Sequence, residues 1–255
     1  LQSFSPKPLP ELTNLLDVRV ELGGQYVVGA SHIPFGELRS RLSELPASGE
    51  PLFIADLDGS ASAAQEFLAR GGREAQLLQK FHLSAEPQVF RLWRANRFLM
   101  SCVAELAPER AVDIGAGAGR EAVSLAAGGW VVNAVDILAD TRQRGETFAQ
   151  RYGVGDRVFW SETPRMIESA KLMSALFFFD RAILVRAMQK LPSGATVIIE
   201  AFTELHWERF GKPRPDRFVR QHELPKLFPE LTTISYTEGW QESGRHTAQL
   251  VGRRQ

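Results

Sequence analysis

The stretch "AVDIGAGAGREAVSLAAGGWVVNAVD", residues 111–136, constrains what this chain can fold into more than any other. An apolar run closes at Ile114, and glycines then alternate at Gly115, Gly117 and Gly119. A helix-like run follows, and a second apolar run ends in Asp136. Short apolar runs bounded by glycine suit buried parallel strands, and the glycines supply the tight turn from strand into helix. A strand–turn–helix–strand unit of this kind builds a doubly wound α/β sheet, with a ligand-binding turn at the strand's C-terminal end.

The chemistry around the turn narrows the ligand. A dinucleotide fingerprint needs G-x-G-x-x-G, and Arg120 stands where its third glycine belongs. A phosphate-binding loop needs Gly-Lys-Ser/Thr, and "GAGRE" supplies neither lysine nor hydroxyl. An acid, Asp113, instead precedes the first glycine by two residues. A carboxylate there suits a ligand with a positive amino group and would repel a pyrophosphate. Asp136, closing the next strand, is placed to accept ribose hydroxyls.

The remainder of the chain extends the pattern. Strands are expected at 111–114, 131–136, 157–160, 172–179 and 195–202, with helical segments between most of them. The closing runs "LTTISYTEGW" and "RHTAQLVGRR", separated by "QESG", make a terminal hairpin. Upstream, "NLLDVRV" and "PLFIAD" read as buried strands, and "FGELRSRLSEL" and "SAAQEFLARGG" as helices. Residues 88–106 put Phe90, Trp93, Leu99, Cys102 and Leu106 near one stripe, which predicts a long amphipathic helix. No strand is placed between Gly72 and Phe81. The expected fold class is α/β: a Rossmann-like doubly wound sheet with a C-terminal antiparallel hairpin, preceded by a small α/β domain. The domains are set at 1–80 and 81–255, and 255 residues suffice for both.

Composition removes several functions. Thirty basic residues balance thirty acidic ones, so no overall basic surplus exists to neutralise nucleic-acid phosphates. The local set Arg209, Lys212, Arg214, Arg217 and Arg220 reads either as a patch or as a solvated loop. One cysteine, Cys102, excludes an intramolecular disulfide and a cysteine metal cluster, and no metal is expected. No apolar run reaches the about 20 residues that span a bilayer. The opening "LQSFSPKPLPEL" has no charged head before an apolar run, so no secretory signal is expected. The expectation is a soluble, cytoplasmic protein without membrane or nucleic-acid partners.

The glycine turn with its leading acid and the acid at the next strand end resembles motif I of the class I S-adenosylmethionine-dependent methyltransferases. The later segments "FGKPRPDRF", "ELPKLFPEL" and "GRHTAQLVGRR" look like the tellurite-resistance and thiopurine type. The resemblance implies S-adenosyl-L-methionine as cofactor. Gly115 and Gly117, with Ala116 between them, would let the backbone approach its methionine and ribose parts. Asp113 would serve the amino-acid end, and Asp136, with Ile137 after it, the ribose. Glu162, or Ser161, would face the adenine amino group. The strand 172–179 would bring Phe178, Phe179 and Asp180 beside the sulfonium, where an aromatic face attracts a cation; the Phe run reads equally as buried strand.

Two N-terminal segments, "LLDVR" and "GASHIPF", resemble the rhodanese fold. In that family the next strand ends in a cysteine loop that carries a persulfide; here Asp56 stands at the cysteine position and Asp58 adds negative charge. The module is therefore expected to be inactive in sulfur transfer, serving docking, dimerisation or shielding, and His32 is expected to be structural.

The functional expectation is methyl transfer to a small-molecule nucleophile, a thiol or chalcogen compound, which needs little general-base help once ionised. An oxygen or nitrogen acceptor would call on Asp180, His206 or His246. The competing reading is a cofactor-binding pseudoenzyme or scaffold, acting through a homo-oligomer or a protein partner. A nucleic-acid methyltransferase is disfavoured by the neutral charge and the missing Asn/Asp-Pro-Pro-aromatic tetrapeptide.

Overall fold

The computed structural model describes residues 5–255. Its contacts divide the chain into two units, Leu9–Arg94 and a second made of Ala95–Gln255 together with residues 5–8. The boundary therefore falls later than the expected 80/81, and the N-terminal residues belong with the C-terminal unit. Lys7 shows why: its N–H donates to Ala127 O at 2.7 Å and its Nζ to Gly153 O at 2.9 Å.

The Leu9–Arg94 unit is a parallel sheet of four short strands, β1 (Leu15–Asp17), β2 (Ala30–His32), β3 (Phe53–Ala55) and β4 (Gln76–Leu78), in the order β2-β1-β3-β4. Helix α1 (Ser60–Arg70) makes the crossover from β3 to β4 and stops at Gly71 and Gly72. Strand β4 lies where none was expected. Three residues facing half-exposed surroundings carry too little apolar pattern to register, and pairing with β3 defines them. Leu16, Ile54, Leu38, Leu45 and Leu68 fill the core. The "LLDVR" segment forms a buried ion pair, with Arg19 Nη2 2.7 Å from Asp17 Oδ2. The Nε2 of His32 meets Arg19 O at 2.8 Å, as a structural histidine should.

The long helix expected over 88–106 does not form. Phe90–Arg91 pairs in parallel with Glu11–Leu12, and helix α2 covers only Arg97–Val103. Asn96 caps it, its side chain accepting the Leu99 N–H at 2.9 Å. The apolar stripe was real but divided: Trp93 and Leu99 are both fully buried, the first in the Leu9–Arg94 unit and the second in the other, so one periodicity runs across two units.

The second unit carries a seven-stranded sheet. Its strands are β5 (Arg110–Ile114), β6 (Val131–Val135), β7 (Val158–Ser161), β8 (Leu172–Leu176), β9 (Thr196–Phe202), β10 (Leu231–Trp240) and β11 (His246–Arg254). The order is β7-β6-β5-β8-β9-β11-β10; the first five run parallel, β11 is antiparallel to β9, and β10 to β11. The expected terminal hairpin is present. Helices α3 (Arg120–Ala127), α4 (Ala139–Arg151) and α5 (Arg181–Lys190) connect parallel strands, and α6 (Glu204–Phe210) follows β9. Val112, Ile114, Met173, Ala175, Val197 and Ile199 are fully or almost fully buried. The chain winds from β5 outward to β7, then returns to β8 on the other side of β5. Between the C-terminal ends of β5 and β8 lies the switch point where such sheets bind ligands.

Strand β8 stops at Leu176, three residues short of expectation. Phe177 takes φ +56°, left-handed for a bulky residue, and its N–H donates to Glu200 O at 2.7 Å. The three phenylalanines consequently leave the strand in a turn and go to separate places.

Candidate active site

The turn after β5 is held from the neighbouring strand: the N–H groups of Gly115 and Ala116 both donate to Val135 O at 2.9 Å. Gly115 and Gly117 have φ +74° and +54°, the left-handed region that only glycine enters freely. Space differs between them. A Cβ on Gly117 would meet nothing within 4 Å, whereas one on Gly115 would lie 2.2 Å from Phe178 Cγ. The expectation gave Gly115 to ligand approach; in the structure its bare face admits the Phe178 ring. Asp136 directly follows β6, its Oδ2 accepting the Gly117 N–H at 3.1 Å and its Oδ1 the Leu138 N–H at 2.9 Å. Gly115, Asp136, Ile137, Glu162 and Phe178 line one cleft of about 700 Å³. Five of the eight residues named from sequence for the cofactor are thus brought together; Asp113, Ala116 and Gly117 lie outside that lining.

Asp113 sits on the central strand with Ala134 and Ser174 as register partners and is 2% exposed. Ser174 Oγ donates to its Oδ1 at 2.7 Å, while Oδ2 is buried without a partner. Burial, reinforced by the Glu121 carboxylate and offset in part by Ser174, pushes the Asp113 carboxyl up to about 7. Glu121, in the first turn of α3, accepts the Asn96 N–H at 3.1 Å, and burial raises its carboxyl as well. Glu200 on β9 accepts from Thr247 Oγ1 and Gln249 Nε2 at 3.0 Å and from Asn96 Nδ2 at 2.5 Å. Asn96 therefore bridges two acids that repel one another. Sequence reading missed Asn96, Glu121, Ser174, Glu200 and Thr247. Glu200, an acid inside the apolar run "VIIEAF", was the signal available.

The groups named for proton transfer are otherwise engaged. Asp180 caps α5, its Oδ1 accepting the Ile183 N–H at 3.0 Å, and its Oδ2 pairs with Arg217 at 3.0 Å. The His206 ring is stacked on Phe202 with centroids 4.4 Å apart, and its Nδ1 accepts the His246 N–H at 3.3 Å. A neutral ring so held carries its proton on Nε2, which then donates and cannot accept. Burial, with Arg245 and His246 nearby, keeps the His206 imidazole below its usual range. His246 Nδ1 is bonded to Thr203 Oγ1 at 2.7 Å. Ser161 is committed to Asn133 Nδ2 at 2.7 Å and to Thr163 O at 2.8 Å, which leaves Glu162 as the acid on the cleft wall. Phe179 is core, 2% exposed under the Arg181 guanidinium. Of the basic set, Arg217 pairs with Asp180 and Asp216, and Arg214 lies 4.0 Å from Asp216.

In the first unit, Asp56 follows β3 directly, and its Oδ1 is buried without a partner. Asp58 accepts the Ser60 N–H at 3.0 Å and the Ser60 Oγ, bonds that hold its carboxyl below the usual range. Two acids around the start of α1 oppose an anion there. Cys102 is half-buried, and burial pushes its thiol up. Among the described residues no cluster of three His, Cys, Asp or Glu could hold a metal, and no helix is long and apolar enough to cross a membrane.

No family model matches the sequence, and no curated protein matches it. Solved structures do resemble it. A geranyl diphosphate methyltransferase in complex with GPP and sinefungin superposes with TM-score 0.50 at 14% identity, over 62% of this chain and 77% of that one. A putative sarcosine dimethylglycine methyltransferase from Galdieria sulphuraria gives 0.50 at 12% identity, over 60% and 82%. TehB from Haemophilus influenzae is matched at 16% identity and TM-score 0.47 over 62% of this chain and 61% of its own length, too loosely to argue from. The likeness establishes a mixed α/β fold with a mostly parallel sheet, matching the Rossmann-like fold of methyltransferases.

Proposed function

We propose that this chain transfers a methyl group from S-adenosyl-L-methionine to a small-molecule nucleophile, a thiol or chalcogen compound. The observation that carries the reading is Asp113 Oδ2, a buried and unpartnered carboxylate oxygen beside the glycine turn at the switch point. Asp113 and Glu200 receive neutral donors and Arg120 is the cation acting on Glu121, so three acids stand against one guanidinium, a balance that an ammonium ligand would improve. Asp136 and Ile137 would hold the ribose edge, and Glu162 the adenine edge, in the 700 Å³ cleft they share with Gly115 and Phe178. When bound, the cofactor supplies an electrophilic methyl group on a sulfonium centre.

The chain's own contribution is position and electrostatics. The Phe178 ring lies against the turn, where its face favours a cation. With Asp180 capped and paired, and His206 and His246 bonded, the reaction calls for an acceptor that arrives ionised. In-line geometry then contributes much of the rate. One observation favours the second reading, a cofactor-binding pseudoenzyme or scaffold: the Phe178 ring already occupies the open face of Gly115. The Leu9–Arg94 unit fits the role of an inactive rhodanese-like module that docks a protein partner or a second copy, because Asp56 cannot carry a persulfide. A cytoplasmic location belongs to the same reading and rests on the single cysteine.

Calorimetric titration of S-adenosylmethionine and S-adenosylhomocysteine into the wild type, Asp136→Asn and Asp136→Ala tests the site. Micromolar binding, weakened about tenfold by losing the charge in the Asn variant, supports the reading. No binding by folded wild type refutes it.

A further inference from the structure

One amide holds two of the three acids around the glycine turn. Asn96 opens α2, and each of its polar atoms is engaged. Its N–H donates to Glu121 Oε1 at 3.1 Å, and its carbonyl oxygen accepts the Met100 N–H at 3.1 Å. In the side chain, Oδ1 accepts the Leu99 N–H at 2.9 Å and Nδ2 donates to Glu200 Oε2 at 2.5 Å. The amide fits only this way round, since a flip would set its oxygen against a carboxylate and its NH2 against an N–H. Glu200 is fixed from its other side as well: Oε1 accepts from Thr247 Oγ1 and Gln249 Nε2, each at 3.0 Å. Its main-chain oxygen accepts the N–H of Phe177, the residue before the ring that covers Gly115. The acid end and the ring end of the site therefore meet in one residue.

Asp113 Oδ2 has neither a partner nor exposed surface, whereas Glu121 and Asn96 are half-buried and do present surface. Glu121 stands in the first turn of α3, where helical side chains lean toward the N-terminus, here the glycine turn. A Cβ on Gly117, four residues earlier, would meet nothing within 4 Å, so the turn is open on that face. The choice of an amide at 96 then has a physical meaning. A lysine or arginine there would neutralise the acids it touched. An amide donates hydrogen bonds without bringing a charge, so it fixes the carboxylates and leaves their charge for a ligand to answer. We infer that Asn96 is a positioning residue that makes the site selective for a ligand with an amino-acid tail, by orienting Glu121 and Glu200 without neutralising them. Glu121 is the acid that meets the tail's ammonium, while Asp113 and Glu200 add negative field from behind it. The inference rests on the proposed binding of S-adenosylmethionine and adds which residue makes the site read its tail.

The test is calorimetric titration of two ligands into the full chain and two variants: S-adenosylhomocysteine, which carries the tail, and methylthioadenosine, which lacks it. Asn96→Ser keeps a side-chain oxygen to cap α2 and loses the reach to Glu200. Glu200→Gln keeps an oxygen for Thr247 Oγ1 and loses the charge. Wild type should bind S-adenosylhomocysteine at least about tenfold more tightly than methylthioadenosine. Each variant should lose about tenfold for S-adenosylhomocysteine and nothing for methylthioadenosine. A merely structural role, in the cap or the sheet, would weaken both ligands together, so equal losses overturn the inference. It is also overturned if any folded variant keeps the wild-type preference, or if wild type binds the two ligands equally. Equal binding by wild type leaves the adenosine cleft standing and removes only the reading of the tail. Binding of neither ligand by folded wild type removes both.

Discussion

Asp113→Asn separates stability from ligand binding at the carboxylate that the fold leaves unsatisfied. The folded carboxyl titrates at about 7 against 3.8 for the ordinary group. Each unit corresponds to about 1.4 kcal/mol, so ionising Asp113 in the native state costs about 4 kcal/mol. Below pH 4 the group is neutral in both native and unfolded chains and has no effect on the pH dependence. Between about 4 and 7 the unfolded chain has released the proton and the native state still holds it, so stability falls as pH rises; above 7 the penalty is complete. The variant has no such titration and keeps an oxygen for Ser174 Oγ. Its stability relative to the wild type should therefore grow by about 3 kcal/mol from pH 5 to pH 8 in urea melts. Ligand binding should move the other way. A cation beside Asp113 favours the charged form, so S-adenosylhomocysteine should release about half a proton per site at pH 7 and almost none at pH 9. Calorimetry in buffers of different ionisation enthalpy reads that number directly, and the variant should release none from this group while binding at least about tenfold more weakly. A stability difference that is flat in pH, or ligand binding without proton release at pH 7, would refute the reasoning.

Gly115→Ala forces a Cβ to 2.2 Å from Phe178 Cγ at φ +74°, and should cost about 2–3 kcal/mol. Phe178→Ala in the same chain should recover the steric share but not the backbone share, as a double-mutant cycle would show. Gly145→Ala, inside α4, should gain about 1 kcal/mol on helix propensity alone. Its Cβ would lie 2.1 Å from Trp160 Cη2, so thermal melts should instead show destabilisation that becomes stabilisation in a Trp160→Ala background. Asp180→Asn keeps a cap acceptor for Ile183 N–H and loses only the part-exposed pair with Arg217. Its stability loss should stay within about 1 kcal/mol and its turnover near wild type, whereas a catalytic base would lose orders of magnitude.

The parts of this molecule that were legible from sequence share one property: they are local. Gly115 to Gly119, bracketed by Asp113 and Asp136, specify a strand, a turn and a helix through backbone sterics and apolar periodicity within 26 consecutive residues. The terminal hairpin is likewise written in two alternating runs and the turn between them. Periodicity failed at residues 88–106, where apolar residues three and four apart are divided between two units and one strand pairing rather than lying on one helix face. It failed again at 76–78, where strand β4 is too short to show a pattern and exists because β3 lies beside it.

The site divides in the same way. Sequence named Asp113 and Asp136 because charge in or beside an apolar strand end is visible along the chain, and the family resemblance added Glu162. What surrounds them was settled by residues far apart. Asn96 joins Glu121 to Glu200, Ser174 answers one oxygen of Asp113, and Thr203 and His246 occupy the histidines named as bases. Desolvation, the state of a proton and the direction of three successive phenylalanine rings depend on which atoms the sheet order brings together. Local chemistry fixed the turn and its acids; strand order decided which of those acids stays unsatisfied.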